Sequence, residues 1–129
     1  MSSTKKTVLI VGASQKEERY SNMAYHALKR HDYPVAMLAN KKAAIGPDEI
    51  HDNLKDVLTQ EDEIDTITVY LGPKNQGELI DWVDKTKAKR VIFNPGTENE
   101  ALYSELDKRG VFHEEACTLV LLSSNQFER

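Results

Sequence analysis

Short apolar, β-branched runs alternate along this chain with stretches of helical period, and that alternation leaves few folds open. Thr7-Val8-Leu9-Ile10-Val11 is continuously apolar, the pattern of a strand covered on both faces. A polar loop follows, then a helix over residues 21–31 with Ser21 as its N-cap and Ala24, Ala27, Leu28 and His31 on one face. Pro34-Val35-Ala36-Met37-Leu38-Ala39 reads as a second strand. The Gly46-Pro47 turn leads to Glu49-Ile50-His51, a short edge strand, and to a brief helix over 54–58. Ile64-Asp65-Thr66-Ile67-Thr68-Val69-Tyr70-Leu71 is strongly strand-like. Gly72-Pro73 opens a helix with proline at its first position and an apolar face of Leu79, Ile80 and Val83. Arg90-Val91-Ile92-Phe93-Asn94 is the next strand. Thr97-Glu98-Asn99-Glu100 fits a capping box for a helix that buries Leu102 and Leu106 and stops at Gly110. Val111-Phe112-His113 is a last short strand, 116–122 an apolar helix, and 123–129 a polar tail.

Such alternation predicts a three-layer α/β domain. Its centre is a doubly wound parallel sheet of five to six strands, in the order 3-2-1-4-5-6, with edge strand 3 short or missing and right-handed crossovers. The 129 residues make one domain over 1–129, with 1–5 and 124–129 expected as flexible ends. The longest apolar runs fall far short of a membrane span, and no apolar stretch follows the first lysines, so a cytoplasmic setting is expected. Seventeen Lys and Arg against 21 Asp and Glu give a net charge of −4, a poor footprint for nucleic acid. The single cysteine, Cys117, excludes an internal disulfide and multi-cysteine zinc motifs.

In sheets of this kind ligands sit outside the carboxyl ends of the strands, where strand order reverses. That rule selects Gly12-Ala13-Ser14, Asn40-Lys41, Leu71-Gly72-Pro73, Asn94-Pro95-Gly96-Thr97 and Glu115-Ala116-Cys117. Gly12 permits a tight turn through which backbone N–H groups can approach a phosphate, although only one glycine of the G-x-G-x-x-G pattern is present. The second strand ends in Asn40, Lys41 and Lys42 rather than in the acid that holds a ribose hydroxyl. Lysines there favour a ribose phosphate, as in coenzyme A or NADP, over plain NAD. Arg19 is a second candidate phosphate partner, and a solvated side chain accounts for it equally well. Asn94 is a polar residue at the end of a buried strand, which points towards a ligand. Cys117 has two readings: a thiol made reactive by the start of the last helix, or a small core residue. His113, Glu114 and Cys117 match no metal spacing. No Ser-His-Asp set, paired-carboxylate site or P-loop can be assembled.

Four segments together resemble the family of small stand-alone CoA-binding domains, relatives of the first domain of the succinyl-CoA synthetase α subunit. They are Val11-Gly12-Ala13-Ser14 with Arg19-Tyr20-Ser21, then 65–71, then Val91-Ile92-Phe93-Asn94-Pro95-Gly96-Thr97-Glu98-Asn99, and then Glu115-Ala116-Cys117 through Leu122. The resemblance implies a Rossmann-like fold with coenzyme A or an acyl-CoA in the crevice. Gly12, Ala13 and Ser14 would meet the pyrophosphate, with Ser21 and Asn22 at the adjoining helix start. Lys41 would lie near the adenosine, and Asn94, Pro95 and Gly96 towards the pantetheine. The family's usual Asn-Pro after the second strand is Asn40-Lys41 here. The domain that carries the synthetases' phosphorylated histidine is not in this sequence, so ligase activity is not implied.

The expected function is therefore a non-catalytic binding or regulatory module for a nucleotide ligand. Its cofactor-binding set is Gly12, Ala13, Ser14, Arg19, Ser21, Asn22, Asn40, Lys41, Leu71, Asn94, Pro95, Gly96 and Cys117. A small NADP-linked enzyme using the same crevice, and an interaction protein with a vestigial pocket, are the alternatives. No nucleic-acid, membrane or metal partner is expected, and a homodimer is left open.

Overall fold

The structure is a computed structural model that describes residues 5–61 and 63–128. Of the ends expected to be flexible, residues 1–4 and 129 lie outside that range. The chain runs β1 (Val8–Val11), α1 (Tyr20–Arg30), β2 (Val35–Leu38), β3 (Ala43–Ile45), β4 (Asp48–Ile50), α2 (Leu54–Gln60), β5 (Thr66–Val69), a 3-10 turn (Pro73–Asn75), α3 (Leu79–Thr86), β6 (Arg90–Phe93), α4 (Glu100–Lys108), β7 (Phe112–Glu115) and α5 (Thr118–Ser123).

Five parallel strands form the main sheet in the order β2-β1-β5-β6-β7. This is the expected doubly wound, Rossmann-like order. Its edge strand 3 is reduced to a single parallel bridge between Leu38 and His51. The segment before that bridge folds on itself as the antiparallel hairpin β3–β4, whose first strand the sequence reading missed. Gly46, at φ +57°, makes the hairpin turn. The Tyr25 hydroxyl donates to Asp48, and Lys29 pairs with the same carboxylate at 3.4 Å, tying the hairpin to α1.

Both faces of the sheet are buried, which is why β1 is apolar at every position. Leu9 and Val11 join Ile67, Val69, Val91 and Phe93 under α2, α3 and α4. Val8 and Ile10 join Leu28, Met37, Ile92 and Leu122 under α1 and α5. The polar tail contains a core residue: Phe127 is buried at 3% exposure and belongs to the second cluster.

Several boundaries differ from the sequence reading, each for a local reason. α1 starts at Tyr20 with Arg19 as N-cap, and Ser21 is buried inside its first turn rather than capping it. The helix expected from Pro73 splits into one 3-10 turn and α3. The break falls where Gly77 weakens helix propensity and where the buried Gln76 amide donates to the Leu71 and Thr97 carbonyls at 2.8 and 2.7 Å. No capping box forms before α4. The Thr97 hydroxyl turns back to the Asn94 carbonyl (2.8 Å), Asn99 occupies the N-cap, and the Asn99 side chain donates to Gln76 instead. β7 runs on to Glu115 instead of ending at His113. As an edge strand it can carry two glutamates, Glu114 facing Arg90 at 3.7 Å and Glu115 accepting from the Tyr103 hydroxyl at 2.7 Å.

Candidate functional site

At the carboxyl ends of β1, β2 and β5 the chain leaves a cavity of about 1300 Å³. Its back wall is the β1 turn, Gly12 and Ala13, with the β2 end from Leu38 to Asn40 and the β5 end from Tyr70 to Gly72. Its sides are α2, through Leu54, Lys55, Leu58 and Thr59, and α3, through Asp81, Trp82 and Lys85 with Glu78 at its start. Leu54, Leu58, Leu71 and Trp82 give this lining apolar surface among charged and polar groups. A pocket for a drug-sized molecule is about 300–1000 Å³, so this one has room for a dinucleotide-sized ligand.

Gly12 is where the backbone demands glycine. Its φ is +87°, its N–H donates to the Leu38 carbonyl at 2.9 Å, and an added Cβ would lie 2.9 Å from the Tyr70 carbonyl carbon and oxygen. The β1 turn is thus wedged between the ends of β2 and β5, and its position is set by main chain on both sides. Beyond it, the Asn22 amide donates to the Ser14 carbonyl (3.0 Å), and the Ser14 hydroxyl accepts from Lys16 N–H (3.1 Å).

The sequence-selected residues divide into three groups. Gly12, Ala13, Arg19, Asn40 and Leu71 line the cavity. Ser14, Ser21 and Asn22 lie on the loop and helix start behind it, with Ser21 and Asn22 buried. Asn94, Pro95, Gly96 and Cys117 belong to the neighbouring ends of β6 and α5, outside the lining, and Lys41 is exposed and also outside it.

Asn94 answers within the protein the question its polarity raised. Its Nδ2 donates to Thr68 Oγ1 (2.7 Å) and the Val69 carbonyl (2.9 Å), and its Oδ1 accepts from Thr118 N–H (2.8 Å). It braces β5 and supplies the acceptor for the first helical amide of α5, a service an N-cap side chain usually performs. Cys117 occupies that N-cap position itself, half-buried and with no side-chain cap bond.

Tyr70 lies at the junction of the two regions. Its hydroxyl is buried and has no hydrogen-bond partner among the described residues. The nearest hydroxyls, Thr68 and Thr118, are bonded to each other at 2.8 Å. Burial pushes the phenol up to about 12, against a smaller downward pull from the Thr118 and Thr68 hydroxyls. At neutral pH it is a neutral hydroxyl and no base.

What sequence reasoning missed is the helical half of the cavity. The strand-end rule looks only at loops, whereas Leu54 and Leu58 on α2, and Glu78, Trp82 and Lys85 on α3, recur at helical spacing and face one another across it. The signal was present in those spacings, but a sequence does not distinguish a helix face that lines a cavity from one that fills a core. Among the described residues no group of His, Cys, Asp and Glu is placed to hold a metal ion. Nor is any described helix long and apolar enough to cross a membrane.

A parallel doubly wound sheet with a nucleotide-sized cavity at its carboxyl edge defines the Rossmann-like class of nucleotide-binding domains. Within it, the chain belongs to the CoA binding domain family, whose pattern matches residues 6–123. The crystal structure of an uncharacterized protein is 35% identical, with a TM-score of 0.85 over 97% of this chain and 100% of that one. A hypothetical protein from Pyrococcus horikoshii OT3 is 25% identical, with a TM-score of 0.83 over 94% of this chain and 84% of that one. No protein of curated function matches the chain.

Proposed function

We propose that the chain binds coenzyme A or an acyl-CoA in the cavity at the carboxyl ends of β1, β2 and β5, as a binding module without chemistry of its own. The observation that carries this reading is the cavity: about 1300 Å³, backed by a glycine turn and lined in part by apolar side chains, in a chain of the CoA binding domain family. Arg19 and Lys55 on its rim have no ion-pair partner among the described residues, so they fit a polyanionic ligand. In this reading the pyrophosphate meets Gly12, Ala13 and Arg19, with Ser14, Ser21 and Asn22 holding the turn behind them. The adenosine rests between α2 and α3 near Asn40, and the pantetheine passes Leu71 towards Asn94, Pro95, Gly96 and Cys117. Bound coenzyme A would supply a thiol or thioester. The protein's part is to hold the nucleotide and direct that arm.

Trp82 is the sole tryptophan and lies in the cavity wall, so its emission reports occupancy directly. Coenzyme A and acetyl-CoA are expected to change Trp82 fluorescence saturably and to raise the melting temperature. A ligand at a hundred times its dissociation constant stabilises by about 2.7 kcal/mol. Unchanged emission and melting at millimolar ligand would sink the reading, and a larger shift with NADP than with coenzyme A would replace it with the nicotinamide alternative.

A further inference from the structure

The charges around the cavity are not evenly placed, and they suggest where a ligand's phosphates sit. On the α3 side the rim carries Glu78 and Asp81, and the one cation there, Lys85, is held by Asp81 at 3.0 Å. Opposite, Lys55 stands on α2 with no ion pair among the described residues, and Arg19 stands likewise beside the β1 turn. The β1 turn and α2 are different parts of the rim, so the two available cations serve different parts of an elongated ligand. Lys41, the lysine the sequence nominated for a ribose phosphate, does not line the cavity.

From this placement we infer that Lys55 selects ligands phosphorylated on the adenosine ribose, while Arg19 serves the pyrophosphate at the β1 turn. The inference rests on the proposed coenzyme A reading and assigns the determinant of specificity within it. Leu54 and Leu58, and beside them Lys55 and Thr59, recur at four-residue spacing on α2 and all line the cavity, so an adenosine held against the leucines brings its ribose within reach of the lysine. Glu78 and Asp81 repel phosphate from the α3 side and fix the ligand's direction across the cavity. The Asp52 carboxylate, which accepts from the Asn53 amide at 2.9 Å, also lies on the rim near Lys55 and works against the phosphate. Removing its charge should therefore tighten binding.

The test is calorimetric titration of the full chain with coenzyme A and with dephospho-coenzyme A, which differ only in the ribose phosphate. The unaltered protein is expected to prefer coenzyme A by about tenfold, the size of one charge-assisted contact. Lys55→Gln should abolish the preference and leave dephospho-coenzyme A binding as it was. Lys41→Gln should keep the preference, and Asp52→Asn should widen it. Equal binding of the two ligands by the unaltered protein overturns the inference, as does a preference that survives Lys55→Gln or is lost only in Lys41→Gln. In each of those cases the coenzyme A reading stands. If neither ligand binds, the two fall together.

Discussion

The two ends of the sheet treat an arginine in opposite ways. At the amino end Arg90 is 4% exposed. Its Nε donates to Thr66 Oγ1 (3.0 Å), its Nη1 donates to the Phe127 carbonyl (2.8 Å), Glu114 lies 3.7 Å away, and the Phe127 ring packs under the guanidinium at 4.4 Å. The cavity there is only about 160 Å³. At the carboxyl end Arg19 is exposed, has no side-chain partner among the described residues, and borders about 1300 Å³ of open space. One end has its charges neutralised and its donors satisfied, as stability requires. The other keeps donors and room in reserve, as binding requires. Charge count alone does not separate the two. What separates them is whether the chain supplies the partners.

The contrast can be broken at either end. Arg90→Ala should be the most costly change, about 4 kcal/mol by denaturant titration, because it leaves Glu114 and the Phe127 carbonyl without their cation and opens a void. A loss below 1 kcal/mol would mean the amino end is not held by its arginine. Gly12→Ala should cost about 3 kcal/mol, combining left-handed strain with overlap against the Tyr70 backbone. It should also abolish any Trp82 response to coenzyme A. A stable, binding-competent alanine variant would show that the turn is looser than its contacts imply.

The tyrosines sharpen the same comparison. Tyr33 donates to Glu128 at the amino end, and burial, then that carboxylate, raises its pKa above the ordinary range. Tyr70, at the other end, is raised to about 12 chiefly by burial. Both phenols keep their protons longer in the folded chain than in the unfolded one. Their contribution is therefore complete below pH 10 and is lost as the pH climbs to 12 and beyond. Melting temperature should fall across that window. At neutral pH, Tyr33→Phe should cost about 1 kcal/mol, and Tyr70→Phe, which removes a hydroxyl with no hydrogen-bond partner among the described residues, should cost nothing or stabilise. Equal losses would erase the distinction. Arg19→Gln should likewise move stability little, by no more than about 0.5 kcal/mol, while weakening coenzyme A binding about tenfold. A large stability loss would show that Arg19 has a structural partner.

The sheet was legible in the sequence because burial on both faces leaves an unbroken apolar run, as at Val8–Val11 and, after Arg90, at Val91, Ile92 and Phe93. Edge elements were less legible. β7 tolerates Glu114 and Glu115, and Ala43–Ile45 is three residues with no alternation to read. Local capping signals misled where tertiary partners outbid them, as when Asn94 claimed the Thr97 hydroxyl and Gln76 claimed Asn99. The back of the candidate site followed from strand ends and Gly12. Its sides did not, because whether Lys55 and Trp82 border a cavity depends on how far apart α2 and α3 stand, and no residue in either helix encodes that spacing alone.

The interior position of β1, between an early strand and a late one, has a consequence for synthesis. Its neighbours are β2, which follows soon after it, and β5, which arrives only once the hairpin and α2 have been made. Until Thr66–Val69 leaves the ribosome, one edge of Val-Leu-Ile-Val is bare, with ladder donors and acceptors open to any passing strand. Nascent chains stalled or cut before Thr66 should therefore be the aggregating species of this protein, and chains that have passed Val69 should not.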